Sequence, residues 1–278
     1  MKRFILNSEP DGNAQVRFEG GDYRYLARVR RLAPGEYFPA LLPNGAEAAV
    51  RVVSVDHKTL TGEICQVKTA STPSFSTSPF PKPSLSTPSF STPLLPPIYL
   101  YQALPKGDKM DLIVRQAAEG GVTGIVPFAS EFSAPKIHND RRGKFSRWQR
   151  IIKEARQQCG SATATEIFFP VAFDELLLRW EQNKARRPGV LGLLFHHLPL
   201  ANNSLHGYLG NSQPETVVLA VGPEGGFSSA EAGRFIAAGF KPFTIGDTIL
   251  RTETAALYAA AAVRILLMER DSWETARK

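Results

Sequence analysis

TVVLAVGPEGGFSSAEAGRFIAAGF, residues 216–240, is the stretch on which the fold turns. Its first six residues are apolar or β-branched without alternation, the pattern of a strand buried on both faces of a parallel sheet. The chain then breaks at Gly222-Pro223-Glu224-Gly225-Gly226 and resumes as a helix, with Ser228 and Glu231 at capping-box spacing. Strand, glycine loop and helix make a ligand-competent turn, because open parallel sheets bind ligands outside the carboxyl ends of their strands. The loop carries neither the Lys-Ser or Lys-Thr of a P-loop nor a G-x-G-x-x-G run, so nucleotide phosphate is not its expected ligand. A second such unit follows at once, PFTIGDTILRTETAALYAAAAVRILLM, residues 242–268. There Gly246-Asp247 ends a strand, Thr252 is a candidate N-cap, and Ala255–Met268 is strongly helix-forming. Arg251, between Ile249-Leu250 and that helix, can present a fixed fork of donors to phosphate or to a base carbonyl, or pair with Glu253 or Glu224.

Working outward, short apolar runs alternate with longer helical patterns. IYLYQAL begins at 98, a helix runs to about Glu119 and stops at Gly120-Gly121, and TGIVPF begins at 123. Arg147–Gln158 and Phe173–Gln182 read as helices, the second with Phe173, Leu176, Leu177 and Trp180 on one face. VLGLLF at 190 and PFTIG at 242 are further buried strands. The product is an α/β domain, a mainly parallel sheet with helices on both faces. Residues 69–97 are rich in Pro, Ser and Thr and contain STPSFST twice, the composition of an extended, solvated linker. The expected organisation is therefore a domain at 1–68, a linker at 69–97 and a domain at 98–278. In the first domain Gln15–Phe18 alternates, Pro43-Asn44-Gly45 and Asp56-His57-Lys58 are turns, and Val50, Val52, Val53 and Val55 fall between them; a small β-barrel is the natural closure. Tyr25, Leu26 and Val29 suit one helical face, and Arg24, Arg28, Arg30 and Arg31 cluster beside it, able to hold phosphate or simply to be solvated.

The 278 residues, 43% hydrophobic and 21% charged, exclude a disordered or peptide-sized class. The two cysteines, Cys65 and Cys159, lack paired spacing; they are expected to be buried thiols in a reducing cytoplasm, with no metal site. Phe4-Ile5-Leu6 is too short for a signal peptide, and Ala255–Met268, broken by Arg264, falls short of the roughly 20 residues of a membrane span, so neither secretion nor a membrane is expected. A net charge of +7 favours an anionic partner, of which nucleic acid is the commonest. KIHNDRRGKFSRWQRIIK, residues 136–153, concentrates that charge, while Trp148, Ile151, Ile152 and Ala155 share a face suited to core packing.

GPEGGF at 222 and IGDTILRTETA at 245, together with KGDKMDLIVRQAAEGGV at 106, EARQQCG at 154, VRRLAPGE at 29 and the MKRF start, resemble the RsmE-type small-subunit rRNA uridine-N3 methyltransferases of the SPOUT superfamily. The resemblance implies an N-terminal PUA-like β-barrel that helps bind RNA, a C-terminal SPOUT domain with a trefoil knot, and a homodimer in the cytoplasm acting on 16S rRNA of the small ribosomal subunit. It implies S-adenosyl-L-methionine held at Leu194, Phe195, Val221, Gly222, Gly226, Ile245, Gly246 and Leu250. Arg251 would orient the uracil or its phosphate and stabilise developing charge, and Glu224 would position it or aid proton removal; Glu253 and Thr254 are as readily structural caps. Arg3, Arg24, Arg28, Arg31, Arg141, Arg142 and Lys144 would carry the RNA. Three positions depart from the family, where Gln116, Phe132 and Ser161 stand in place of basic residues. The alternative from another class is an RNA-binding or ribosome-assembly protein of the same fold with weak or no catalysis.

Overall fold

In the computed structural model, residues 4–6, 10–43, 46–68, 95–133, 141–161, 163–186, 189–197, 200, 204–210 and 213–275 are described. They divide into two compact units, one within Met1–Ser91 with Arg156–Ala162 and one within Thr92–Ala155 with Thr163–Lys278.

Alternation builds the first unit. In β2 (Gln15–Glu19) Val16 and Phe18 are buried while Arg17 and Glu19 face outward. This strand joins β1 (Phe4–Ile5), β3 (Tyr37–Leu41), β4 (Glu47–Val55) and β5 (Thr59–Lys68) in a five-stranded sheet of order β1-β3-β4-β5-β2. Phe4, Phe18 and Phe38 meet edge to face at ring separations of 5.5–6.1 Å and seed its core. After the single turn α1 (Gly20–Tyr23), Arg24–Val29 forms a π-helical turn in which Arg30 N donates to Tyr25 O. The helical face expected from Tyr25, Leu26 and Val29 is therefore not formed. The wider turn keeps Leu26 fully buried but swings Val29 out to 70% exposure. Arg31 follows at φ +54°, a left-handed backbone that costs a non-glycine residue about 1 kcal/mol. The expectation of buried thiols also fails. Cys65 follows the inward Ile64 and so faces out of β5, and Cys159 closes the third helix beyond its core-packed part; both are exposed.

In the second unit the order of elements is β6 (Ile98–Ala103), α2 (Lys109–Glu119), β7 (Gly124–Ala129), α3 (Arg141–Cys159), β8 (Glu166–Ile167), β9 (Val171–Ala172), α4 (Phe173–Arg186), β10 (Val190–Phe195), α5 (Leu205–Gly210), β11 (Thr216–Val221), α6 (Ser229–Ala237), β12 (Lys241–Phe243) and α7 (Thr252–Thr275). The sheet runs β12-β10-β11-β6-β7-β8, with β9 also on β7, and every pairing is parallel. Its residues alternate between two cores. Leu193, Val217, Leu219 and Val221 pack with α2, α3, α5 and α7, whereas Leu194, Val218 and Ala220 pack with α4 and α6. Helices thus cover both faces, which is why the strands read as unbroken apolar runs. Trp180 of α4 fits because Gly192 lacks a Cβ, which would stand 2.8 Å from its ring. Of the linker expected at 69–97, residues 95–97 already belong to this unit, since Leu95 packs on the core and Pro97 O accepts Val217 N; residues 69–94 lie outside the described residues.

Candidate functional site

Parallel strands put all their carboxyl ends on one edge, and the two glycine-bearing loops converge there. Val221–Phe227 at and after the end of β11 and Thr244, Ile245 and Thr248–Leu250 after β12, with Phe195 ending β10 and His196 and His197 following it, wall a cavity of about 230 Å³ whose floor includes Thr252 and Ala255 of α7. Gly222 and Gly226 shape it. A Cβ on Gly222 would stand 3.0 Å from the carbonyl carbon of Gly226, so any larger residue would push the folded-back loop apart by a few tenths of an ångström, and Gly226 takes φ +70° at that bend.

Three latches hold the loops. Thr252 Oγ1, buried, donates to Gly222 O at 2.6 Å and accepts from Gln102 Nε2 at 3.1 Å, joining α7, β6 and the glycine loop in one buried network. Thr252 is therefore the first residue of α7 rather than the cap expected of it; its hydroxyl points to the loop instead of to its own helix. Glu224 accepts from Lys106 N at 3.0 Å and pairs with Lys109 Nζ at 2.7 Å. Burial alone would push its carboxyl up. The Lys109 hydrogen bond, the backbone N–H groups of Glu224 and Lys106, and the Lys109 charge outweigh that effect and hold it below the usual carboxylate range. Glu231 completes the capping box expected with Ser228, and its other carboxylate oxygen accepts Glu131 N at 2.8 Å, tying the loop after β7 to α6. In that loop Phe132 lies against Gly225, where a Cβ would come 3.0 Å from the phenylalanine's own Cβ.

Of the cofactor residues expected from sequence, Phe195, Val221, Gly222, Gly226, Ile245 and Leu250 line this cavity, as does Glu224. Leu194 is fully buried and faces α4 and α6, and Gly246 stands at φ +73° within the second loop without lining the cavity. Arg251 is exposed at the start of α7; its guanidinium makes no ion pair or hydrogen bond among the described residues, with Glu224 and Glu253 included. His196, His197, Phe227 and Thr248 also line the cavity and were not singled out by sequence reasoning, and Thr252, which lines it too, was read only as a cap. The His196-His197 pair directly after a buried strand was the available signal. Arg24, Arg28, Arg31 and Lys144 are exposed. Arg3 and the side chains of Arg141 and Arg142 lie outside the described residues. Among the described residues no cluster of three or more His, Cys, Asp or Glu is placed to hold a metal, and no helix is long and apolar enough to cross a membrane.

Fold and site together define an α/β protein that takes a ligand between glycine loops at the carboxyl edge of a parallel sheet. Residues 92–264 match the RNA methyltransferase domain family, and the chain belongs to that family. The chain is 30% identical to Ribosomal RNA small subunit methyltransferase E of Synechocystis sp., over 95% of this chain and 78% of the relative. It is 26% identical to the protein of the same name from Mycobacterium bovis, over 97% and 93%. A solved structure of Ribosomal RNA small subunit methyltransferase E from Neisseria gonorrhoeae bound to S-adenosyl methionine matches with a TM-score of 0.72 at 26% identity, over 96% of this chain and 98% of that one.

Proposed function

We propose that this protein transfers a methyl group from S-adenosylmethionine to N3 of a uridine in 16S ribosomal RNA of the small subunit. The observation that carries the reading is the closure of two glycine loops and the end of β10 on one cavity, latched from beneath by Thr252 and Gln102. The cavity fits the cofactor chemically. Phe195, Val221, Phe227, Ile245 and Leu250 offer apolar walls to a neutral ring, while loop amides and carbonyls beside Gly222 and Gly226 are free of side chains that would bar a close approach. When bound, S-adenosylmethionine supplies a sulfonium-activated methyl group.

In this proposal Phe195, Val221, Gly222, Gly226, Ile245 and Leu250 hold the cofactor directly, and Leu194 and Gly246 act through the strand and loop that carry them. Arg251 orients the uracil or its phosphate and stabilises charge developing on the uracil oxygens, its guanidinium having no partner among the described residues to compete for that contact. Glu224 fixes the loop against Lys106 and Lys109. Such alignment lowers the barrier by converting encounter into a step within a bound complex. Arg3, Arg24, Arg28, Arg31, Arg141, Arg142 and Lys144 contact phosphates, and the basic balance of the chain supports that role. The same proposal includes a PUA-like N-terminal barrel within 1–68, a linker that ends before Leu95, a knotted SPOUT domain from there to 278, a homodimer and a cytoplasmic location. The names of the relatives and the cofactor in the Neisseria gonorrhoeae structure support it.

The test has two parts. Calorimetric titration of the full chain with S-adenosylmethionine should give one saturable site, and small subunits from a deletion strain should gain one 3-methyluridine on incubation with the protein and cofactor, located by mass mapping of 16S rRNA fragments. RNA binding without cofactor heat or methyl transfer would instead establish the binding protein of the same fold.

A further inference from the structure

Methylation at a uracil N3 requires loss of a proton from a weakly acidic N–H, so a group in reach of the cavity has to receive it. Among the described residues the titratable side chains on the cavity wall are His196, His197 and Glu224. Glu224 is a poor acceptor, because its oxygens are already engaged by Lys106 N and Lys109 Nζ and those contacts hold its carboxyl below the usual range. His196 is 8% exposed and packed at the strand end, where its backbone N–H donates to Phe243 O, so its ring is closed off by burial. His197 differs from both. It is exposed, its ring stacks on His196 at 4.5 Å and 27°, and its nitrogens make no hydrogen bond among the described residues. A Cβ on Gly226 would come 3.9 Å from its Nδ1, so this imidazole lies over the bend of the glycine loop.

We infer that His197 is the general base of the reaction, receiving the N3 proton of the target uridine. The inference rests on the proposed uridine-N3 reading and deepens it. The balance is simple. The N3–H bond breaks with its proton passing to an imidazole nitrogen of His197, the N3 electron pair forms the bond to the methyl carbon, and the carbon–sulfur bond breaks with its pair left on sulfur as a neutral thioether. The imidazolium then returns its proton to solvent, for which an exposed ring is suited. Imidazole is the side chain whose ordinary protonation range best matches proton transfer near neutral pH.

The test compares wild type with His197→Gln and His197→Ala in the full chain, reading the pH dependence of turnover on unmodified small subunits, cofactor affinity by calorimetry, RNA affinity and melting temperature. General-base loss predicts a fall in kcat of about 100-fold or more with KM changed less than about threefold. The acid limb of the wild-type profile should disappear in His197→Gln, and added imidazole should restore turnover to His197→Ala. Cofactor and RNA affinities should stay within about twofold, and melting should move little because the ring is exposed. An unchanged pH profile in His197→Gln, while wild type still forms 3-methyluridine, overturns this inference alone. Loss of cofactor affinity in step with turnover overturns it too, by making His197 a cofactor contact. Methylation by wild type at a position bearing no acidic N–H overturns the proposed function and this inference together.

Discussion

Replacing Thr252 by Val keeps the shape of the side chain and removes only its hydroxyl, so it tests the latch beneath the glycine loop. In the folded chain that hydroxyl donates to Gly222 O at 2.6 Å and accepts from Gln102 Nε2 at 3.1 Å, with Thr252 3% exposed and Gln102 wholly buried. The lost hydrogen bonds contribute about 0.5–1.5 kcal/mol each, and a buried polar group left without a partner costs about 1–3 kcal/mol. Gln102 Nε2 keeps Ala103 O at 2.9 Å and a long contact to Gly222 O at 3.4 Å, so the desolvation cost falls mainly on the Gly222 carbonyl. Counted once, as two lost bonds or as one poorly paired carbonyl, the destabilisation is about 1–3 kcal/mol, which for a unit of this size lowers melting by about 2–12 °C. Thr252→Ser keeps the hydroxyl and loses one buried methyl, about 0.8 kcal/mol. Denaturant unfolding of the two variants beside wild type, with calorimetric titration of S-adenosylmethionine, reads both consequences. The valine variant should also lose roughly tenfold in cofactor affinity, since its loop carbonyl is free to move. If valine unfolds within 0.5 kcal/mol of wild type, or serine is as damaging as valine, the latch contributes nothing and this reasoning is wrong.

Gly222→Ala puts a methyl 3.0 Å from the Gly226 carbonyl carbon, where backbone and not a flexible side chain has to yield, so cofactor affinity read by calorimetry should fall with little change in helix content by circular dichroism. Arg251→Ala, by contrast, removes an exposed side chain outside the cavity wall, and turnover should drop far more than cofactor affinity; equal losses in both would contradict that division of labour. For Glu224 the sign follows from its lowered pKa. The carboxylate stabilises the fold fully above the ordinary carboxylate value, and the contribution is lost as pH falls through the lower folded value. Wild-type melting temperature should therefore decline more steeply than that of Glu224→Gln in this acid range. Because Lys109 is 35% exposed, the difference should stay below about 1 kcal/mol and shrink in high salt.

Much of this architecture is legible before any coordinates, and the reason is local. Continuous apolar runs such as Thr216–Val221 can only be buried on both faces, and the Ser228–Glu231 capping box fixes where α6 begins. What escapes is set by contacts between distant residues. Thr252 has the composition of an N-cap, yet its hydroxyl is claimed by a carbonyl thirty positions away. Glu224 is flanked in sequence only by Pro and Gly; Lys109, its partner, lies 115 positions upstream and is brought near because β6 and β11 are neighbours in the sheet. The π-helical turn at Arg24–Val29 likewise defeats a reading at 3.6 residues per turn, since Val29 fits that period and is exposed in a wider one.

The position of Phe132, where the resemblance leads one to expect a basic residue, can be weighed in this setting. Phe132, standing where a basic residue is expected, sits against Gly225 in a loop that Glu231 ties to α6, and its ring is 45% exposed beside the glycine loop. An arginine there would carry a charge to phosphate; a phenylalanine at the same place offers a flat apolar face, which suits stacking on an unpaired base and contributes no counterion release. RNA affinity in this protein should therefore depend less on salt than an arginine at position 132 would make it. Phe132→Arg should steepen the slope of log affinity against log salt by about 0.7–0.9 while leaving cofactor affinity unchanged. A slope that stays the same would place Phe132 away from the RNA and return it to the simpler task of packing against Gly225.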